Sequence, residues 1–136
     1  MRTNGRTGQI YAMNTSKQLY EQMCSFENMY EAFLKAAKGK SLRLDCAGFA
    51  YDREREIFKL QSELLDGTYR HGPYREFEVR DPKRRQVKAA RFRDRVGHHA
   101  LCNIIEPIFE ARFISDSFAC RKGKGTFAAL ERCGAL

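Results

Sequence analysis

The sequence predicts an α+β fold, mainly helical with one basic antiparallel β-hairpin. Three observations carry that expectation. Apolar residues recur at helical spacing in several stretches, one short segment alternates strictly, and a dense run of basic residues surrounds the turn that follows it.

Taken in order, residues 1–15 read as a loose, polar tail and residues 16–136 as the folded part. Ser16 to Lys38 has a helical pattern broken near Ser25. Ser25 is a candidate N-cap, Phe26, Met29, Tyr30, Phe33 and Ala37 follow at helical spacing, and Gly39 is the stop. Gly39 to Phe49 reads as a connector. Asp52 then caps a second helix striped by Ile57, Leu60 and Leu64, and Asp66-Gly67 ends it. Beyond it Phe77 and Val79 point one way while Glu76, Glu78 and Arg80 point the other, the signature of a half-exposed strand, with Phe77 expected in the core. Asp81-Pro82-Lys83-Arg84 is turn chemistry, and Arg85 to Ala90 returns antiparallel. Asp94 is a candidate cap for a helix that buries Val96, Ala100, Leu101, Ile104 and Ile105. Pro107 should kink that helix or start a new one. The segment RKGKGT reads as a loop, with Thr126 as N-cap of a last helix.

Composition narrows the function. The chain has 136 residues, 43% of them hydrophobic, which suits a single globular domain or part of one. No apolar run approaches the roughly 20 residues a membrane span needs, and no signal peptide is recognisable, so a cytoplasmic protein without membrane contact is expected. The five cysteines are irregularly spaced without a CxxC pair, as expected of reduced and mostly buried thiols. His98, His99 and Cys102 share helical spacing, but no second ligand pair follows, so no metal site is expected.

The net charge is +8, and its distribution is uneven. Between Arg70 and Arg95 ten basic residues face four acidic ones, a concentration that marks a polyanion-binding surface. Lys83, Arg84 and Arg85 stand at the hairpin turn, where they can approach phosphates without entering a core. Arg93 and Arg95 flank Asp94, open to either an architectural or a nucleic-acid role. Arg121, Lys122 and Lys124 lie in a glycine-punctuated loop that is either solvated or in contact with a polyanion. Tyr74, among the basic residues, is a candidate for base stacking.

The order of two N-terminal helices, a basic hairpin, RDRVxHHALxxxIEPIFExRF and SxxCRKGKGTxxAL resembles the N-terminal part of bacterial reverse transcriptases. The similar lineages are those of group II introns, diversity-generating retroelements and retrons. The resemblance covers roughly Leu19 to Arg132 and is most specific from Arg93 to Thr126. It implies that residues 16–136 form the fingers and the start of the palm of an RNA-directed DNA polymerase. Lys83, Arg84 and Arg85 would then neutralise triphosphate or template phosphates, and Arg121, Lys122 and Lys124 would lie near template or primer backbone. The implied partner is RNA or an RNA/DNA primer–template.

Three positions depart from the family pattern. Arg91 stands where an apolar residue or proline is common, Gly97 replaces a β-branched residue, and Phe127 stands where histidine is frequent. The family's metal-binding aspartates are expected after the last helix, beyond the sequence in hand. Magnesium therefore belongs to a full-length relative, with no cofactor expected in this chain and no catalytic residue assigned. The alternatives are a stand-alone RNA-binding or regulatory module, or one half of a split enzyme whose partner is a separately encoded palm.

Overall fold

The computed structural model describes residues 15–134, and these fall into two compact units that meet in sequence at Ile104–Ile105. The tail expected over residues 1–15 lies outside the described residues, except that residue 15 is already helical. Among the described residues the architecture is α+β: six helices and one two-stranded antiparallel sheet.

The first unit begins with α1 (15–23) and α2 (Phe26–Ala37), separated by Ser25. Ser25 is extended and its Oγ accepts from the Asn28 backbone N–H, so the expected cap is realised. The terminal carbonyls of α1 are satisfied by side chains: Asn28 donates to Met23 O at 2.9 Å and Gln61 to Cys24 O at 2.7 Å. Residues expected to form a connector instead contain α3 (Leu44–Tyr51). Its short apolar pattern (Cys46 and Phe49 inward, Leu44 and Tyr51 outward) shows too little periodicity to read from sequence. Helix α4 (Arg53–Leu65) follows, with Ile57 and Leu60 fully buried. Asp52 precedes it but makes no capping hydrogen bond, pairing instead with Arg55 at 3.4 Å. Gly67, at φ +69°, closes the helix in the left-handed conformation that favours glycine.

Strands β1 (Arg75–Arg80) and β2 (Arg84–Ala89) pair in the register Phe77 opposite Val87 and Arg80 opposite Arg84. Arg84 thus belongs to the strand rather than the turn. Helix α5 (Phe92–Glu110) begins two residues before Asp94, so Asp94 is not its cap. The helix also runs through Pro107 without ending, because so near its C-terminus the proline forfeits a single backbone donor.

The core of the first unit gathers α1–α4 and the start of α5: Met29, Ala32, Phe33 and Ala36 against Cys46, Phe49, Ile57, Leu60, Phe92, Val96 and Ala100. Phe33, Phe49 and Phe92 form an aromatic triangle with centroids 5.3 to 6.1 Å apart. Val96 and Ala100 are buried as expected, whereas Leu101 is exposed and Ile104 and Ile105 are half-buried.

The second unit comprises the end of α5, an irregular segment and α6 (Thr126–Gly134). Thr126 is the first helical residue, and Gly125 O accepts the opening bond from Ala129 N–H, so the cap lies one residue earlier than expected. No described residue of this unit is buried. Of the cysteines, Cys24 and Cys46 are buried but Cys102, Cys120 and Cys133 are exposed, against the expectation of mostly buried thiols.

Candidate nucleic-acid interface

The hairpin sorts its charges by face. Antiparallel pairing puts Glu76 beside Lys88, Glu78 beside Gln86 and Arg80 beside Arg84 on one face, and Phe77, Val79, Val87 and Arg85 on the other. On the first face Glu78 receives Arg80 at 2.7 Å and Arg84 through two bonds of 2.8 and 2.9 Å, while Lys88 meets Glu76 at 2.8 Å. The guanidiniums of Arg84 and Arg80 hold the Glu78 carboxyl below its ordinary range. Three cations are therefore held by two carboxylates within the hairpin.

Lys83, at the turn, and Arg85, on the opposite face, have no ion-pair or hydrogen-bond partner among the described residues. Arg85 stands beside Val79 on a face that is not part of the core. Phe77 is 41% exposed, with the Arg75 guanidinium 5.5 Å from its ring centroid. The expected burial of Phe77 is therefore corrected: Phe77 shares a face with Val79 and Val87, but it is not among the residues packed against the core.

The segment between α4 and β1 is fixed by a carboxylate that sequence reading placed as a cap. Asp94 is only 2% exposed; it accepts the Tyr69 hydroxyl at 2.7 Å and the Gly72 N–H at 3.1 Å, with His71 Nε2 at 4.0 Å. Burial, followed by the Asp94 hydrogen bond and charge, pushes the Tyr69 phenol up to about 12. A Cβ at Gly72 would sit 3.1 Å from both Asp94 Oδ2 and Arg91 Cδ, so a larger residue would have to push one of these side chains back by a few tenths of an ångström. Arg93 is engaged as well: it forms an ion pair with Glu63 and lies 5.6 Å from the Tyr69 ring centroid. Tyr74 is exposed, its ring 4.7 Å from that of His71.

A cleft of about 910 Å³ opens at the base of the hairpin, between the start of α3 and the start of α5. Five arginines and two acids line it, with Tyr74 among them. Arg43 reaches this place as the N-cap of α3, a helix with too little periodicity to announce itself in the sequence.

In the second unit, Arg121 is a nearly buried hub. It binds Glu110 at 2.6 Å, donates to Ile114 O and Ser117 O at 3.0 Å, and lies 5.4 Å from the Phe113 ring centroid. Lys124 donates to Ser115 O and sits over Phe118. Lys122 is exposed and unpartnered among the described residues. Among those residues no group of three or more His, Cys, Asp or Glu stands where it could hold a metal ion, and no helix is long and apolar enough to cross a membrane.

No family model matches the chain. Over an alignment of 91 residues, covering 55% of this chain, it is 29% identical to nuclear intron maturase 2, mitochondrial, of Arabidopsis thaliana. The chain is thus distantly similar to an intron maturase. It spans only 12% of that protein's length.

Proposed function

We propose that this chain is a nucleic-acid-binding fingers segment of a reverse-transcriptase-related protein, and that the basic hairpin is its primary contact with RNA or a primer–template. The observation that carries this reading is the unequal treatment of the hairpin cations. Arg80, Arg84 and Lys88 are pinned by Glu78 and Glu76, while Lys83 and Arg85 are left without partners. Pinned arginines stiffen the strands, and free cations at an exposed tip gain most from meeting phosphates, where each contact releases counterions. The similarity to an intron maturase agrees with an RNA ligand. The proposed role is binding and positioning, with magnesium and its carboxylates supplied by other residues in any complete polymerase.

The test is equilibrium binding of fluorescent single-stranded RNA across a salt series. Replacing Lys83 and Arg85 with alanine should flatten the log–log salt slope by about 1.4, two contacts at about 0.7 each. An unchanged slope would remove the tip from the interface.

A further inference from the structure

We propose that the cleft between the amino ends of α3 and α5 is a second subsite, which binds the sugar–phosphate backbone of a single-stranded polynucleotide. The inference rests on the nucleic-acid reading above but concerns a different place. The six-residue strands put the hairpin tip about 20 Å from the base where the cleft lies.

Three features of the cleft favour a polyanion. First, Arg43, Arg91 and Arg95 line it with no side-chain hydrogen bond or ion pair among the described residues, unlike Arg93 beside them, which Glu63 neutralises. Of the two carboxylates in the lining, Asp45 already accepts the Cys46 N–H at 3.0 Å. Guanidiniums gathered in a concave site raise the local potential and concentrate anions.

Second, the amino ends of both helices border the cleft. Arg43 is the N-cap of α3 and offers no acceptor to its first N–H groups, and Arg91 immediately precedes α5. Each first turn also carries an acid, Asp45 in α3 and Asp94 in α5, so what the two helix starts bring to the cleft is the pair of arginines rather than an uncompensated dipole.

Third, Tyr74 lies in the lining and is 54% exposed, a surface on which a base can stack once phosphates are held. Arg91 is also a departure from the pattern of similar reverse transcriptases, whereas Arg95 belongs to the RDRV segment that carries the resemblance. Its side chain packs over Gly72, with Nε 3.7 Å from where a Cβ would sit.

His99, one turn along α5 from Arg95, reports on the cleft. Burial lowers its pKa first, and the charges of Arg95, Lys40 and Lys35, with His98, lower it further. An anion held at Arg95 offsets part of that effect and moves the His99 titration to higher pH. The experiment follows the histidine resonances of the whole chain by NMR during pH titration. It is run free, with single-stranded RNA of about ten nucleotides, and with inorganic pyrophosphate. RNA should raise the His99 midpoint in the unmutated protein and still do so after K83A/R85A. The triple change R43Q/R91Q/R95Q should abolish the shift. If all three arginines contact phosphates, it should also weaken RNA binding on the order of a hundredfold at about 0.1 M salt.

A His99 midpoint indifferent to saturating RNA overturns the proposal without any variant having to fold. A shift produced by pyrophosphate that RNA cannot compete away overturns the strand assignment in favour of a free polyphosphate. If the cleft variant binds RNA as the unmutated chain does while K83A/R85A does not, the subsite fails and the hairpin reading stands. The reverse pattern supports the cleft and refutes the tip.

Discussion

The two units of the chain use the same basic residues for opposite purposes. In the first, thirteen buried apolar side chains hold the helices together, and this core allows Lys83, Arg85, Arg43 and Arg91 to remain unpaired at its surface. In the second, no described residue is buried, and cations tie the segment together: Arg121 on Glu110 and two carbonyls, Lys124 on Ser115 O, and at the surface Arg132 on Asp116 at 3.0 Å. A basic sequence is therefore a poor guide to a binding surface until the apolar core is known. In the first unit several cations, Lys83 and Arg85 among them, are left free to act on a ligand; in the second, two of the three loop cations, Arg121 and Lys124, are consumed as structure and Lys122 is left free.

The largest effect separating the units should come from removing one leucine in each. Leu60→Ala empties a fully buried position and should cost about 2 to 5 kcal/mol. Leu130→Ala, at a 63% exposed position, should change stability by less than about 0.5 kcal/mol. Denaturant unfolding of both variants measures the difference, and equal losses would dissolve the contrast.

Next in size is Asp94→Ala, which strands the Tyr69 hydroxyl and the Gly72 N–H, at about 1 to 3 kcal/mol for each group left unsatisfied. The same site sets an alkaline limit. The folded-state pKa of Tyr69, about 12, lies above the ordinary 10.0, so the folded chain keeps a proton that the unfolded chain releases in that window. Stability conferred by the protonated phenol is complete below pH 10.0 and is lost as pH rises towards about 12. Burial and Cys24 raise the Tyr20 phenol as well, so spectrophotometric titration of tyrosinate should show late phenols, of which the one near 12 is absent in Tyr69→Phe.

A smaller gain is expected from Gly97→Ala. A Cβ there meets nothing within 4 Å, so the substitution should recover up to about 1 kcal/mol of helix propensity, read as a raised Tm. The least effect belongs to His99. Its folded-state pKa is depressed below 6.5, so the unfolded chain binds the proton more readily and stability declines as pH falls from 6.5 through the folded value. His99→Gln should flatten the acid side of the stability profile.

These contrasts also show what the sequence made legible. Helices α2, α4 and α5 announced themselves through apolar spacing and through stops at Gly39 and Gly67, and the hairpin through alternation and turn residues. Helix α3 did not, since its eight residues include Gly48 and its inward positions are few. At the candidate interface, charge density located the hairpin correctly. It did not reveal that Glu78 would capture two arginines, that Asp94 would turn from its own helix to hold Tyr69 and Gly72, or that Arg121 would be folded inward. Each is a contact set by tertiary geometry between residues whose separation in sequence carries no periodic signal.

The division of cations into free and structural groups is tested most directly by neutralising them singly to glutamine and reading two quantities for each variant: the thermal midpoint and the salt slope of RNA binding. Lys83 and Arg85 should each flatten the slope by about 0.7 and leave the midpoint unchanged. Arg93 and Arg121 should lower the midpoint or unfold their own unit locally, with no change of slope in the fraction that remains folded. A slope that responds to Arg121 as it does to Lys83, with stability indifferent to both, would contradict the account.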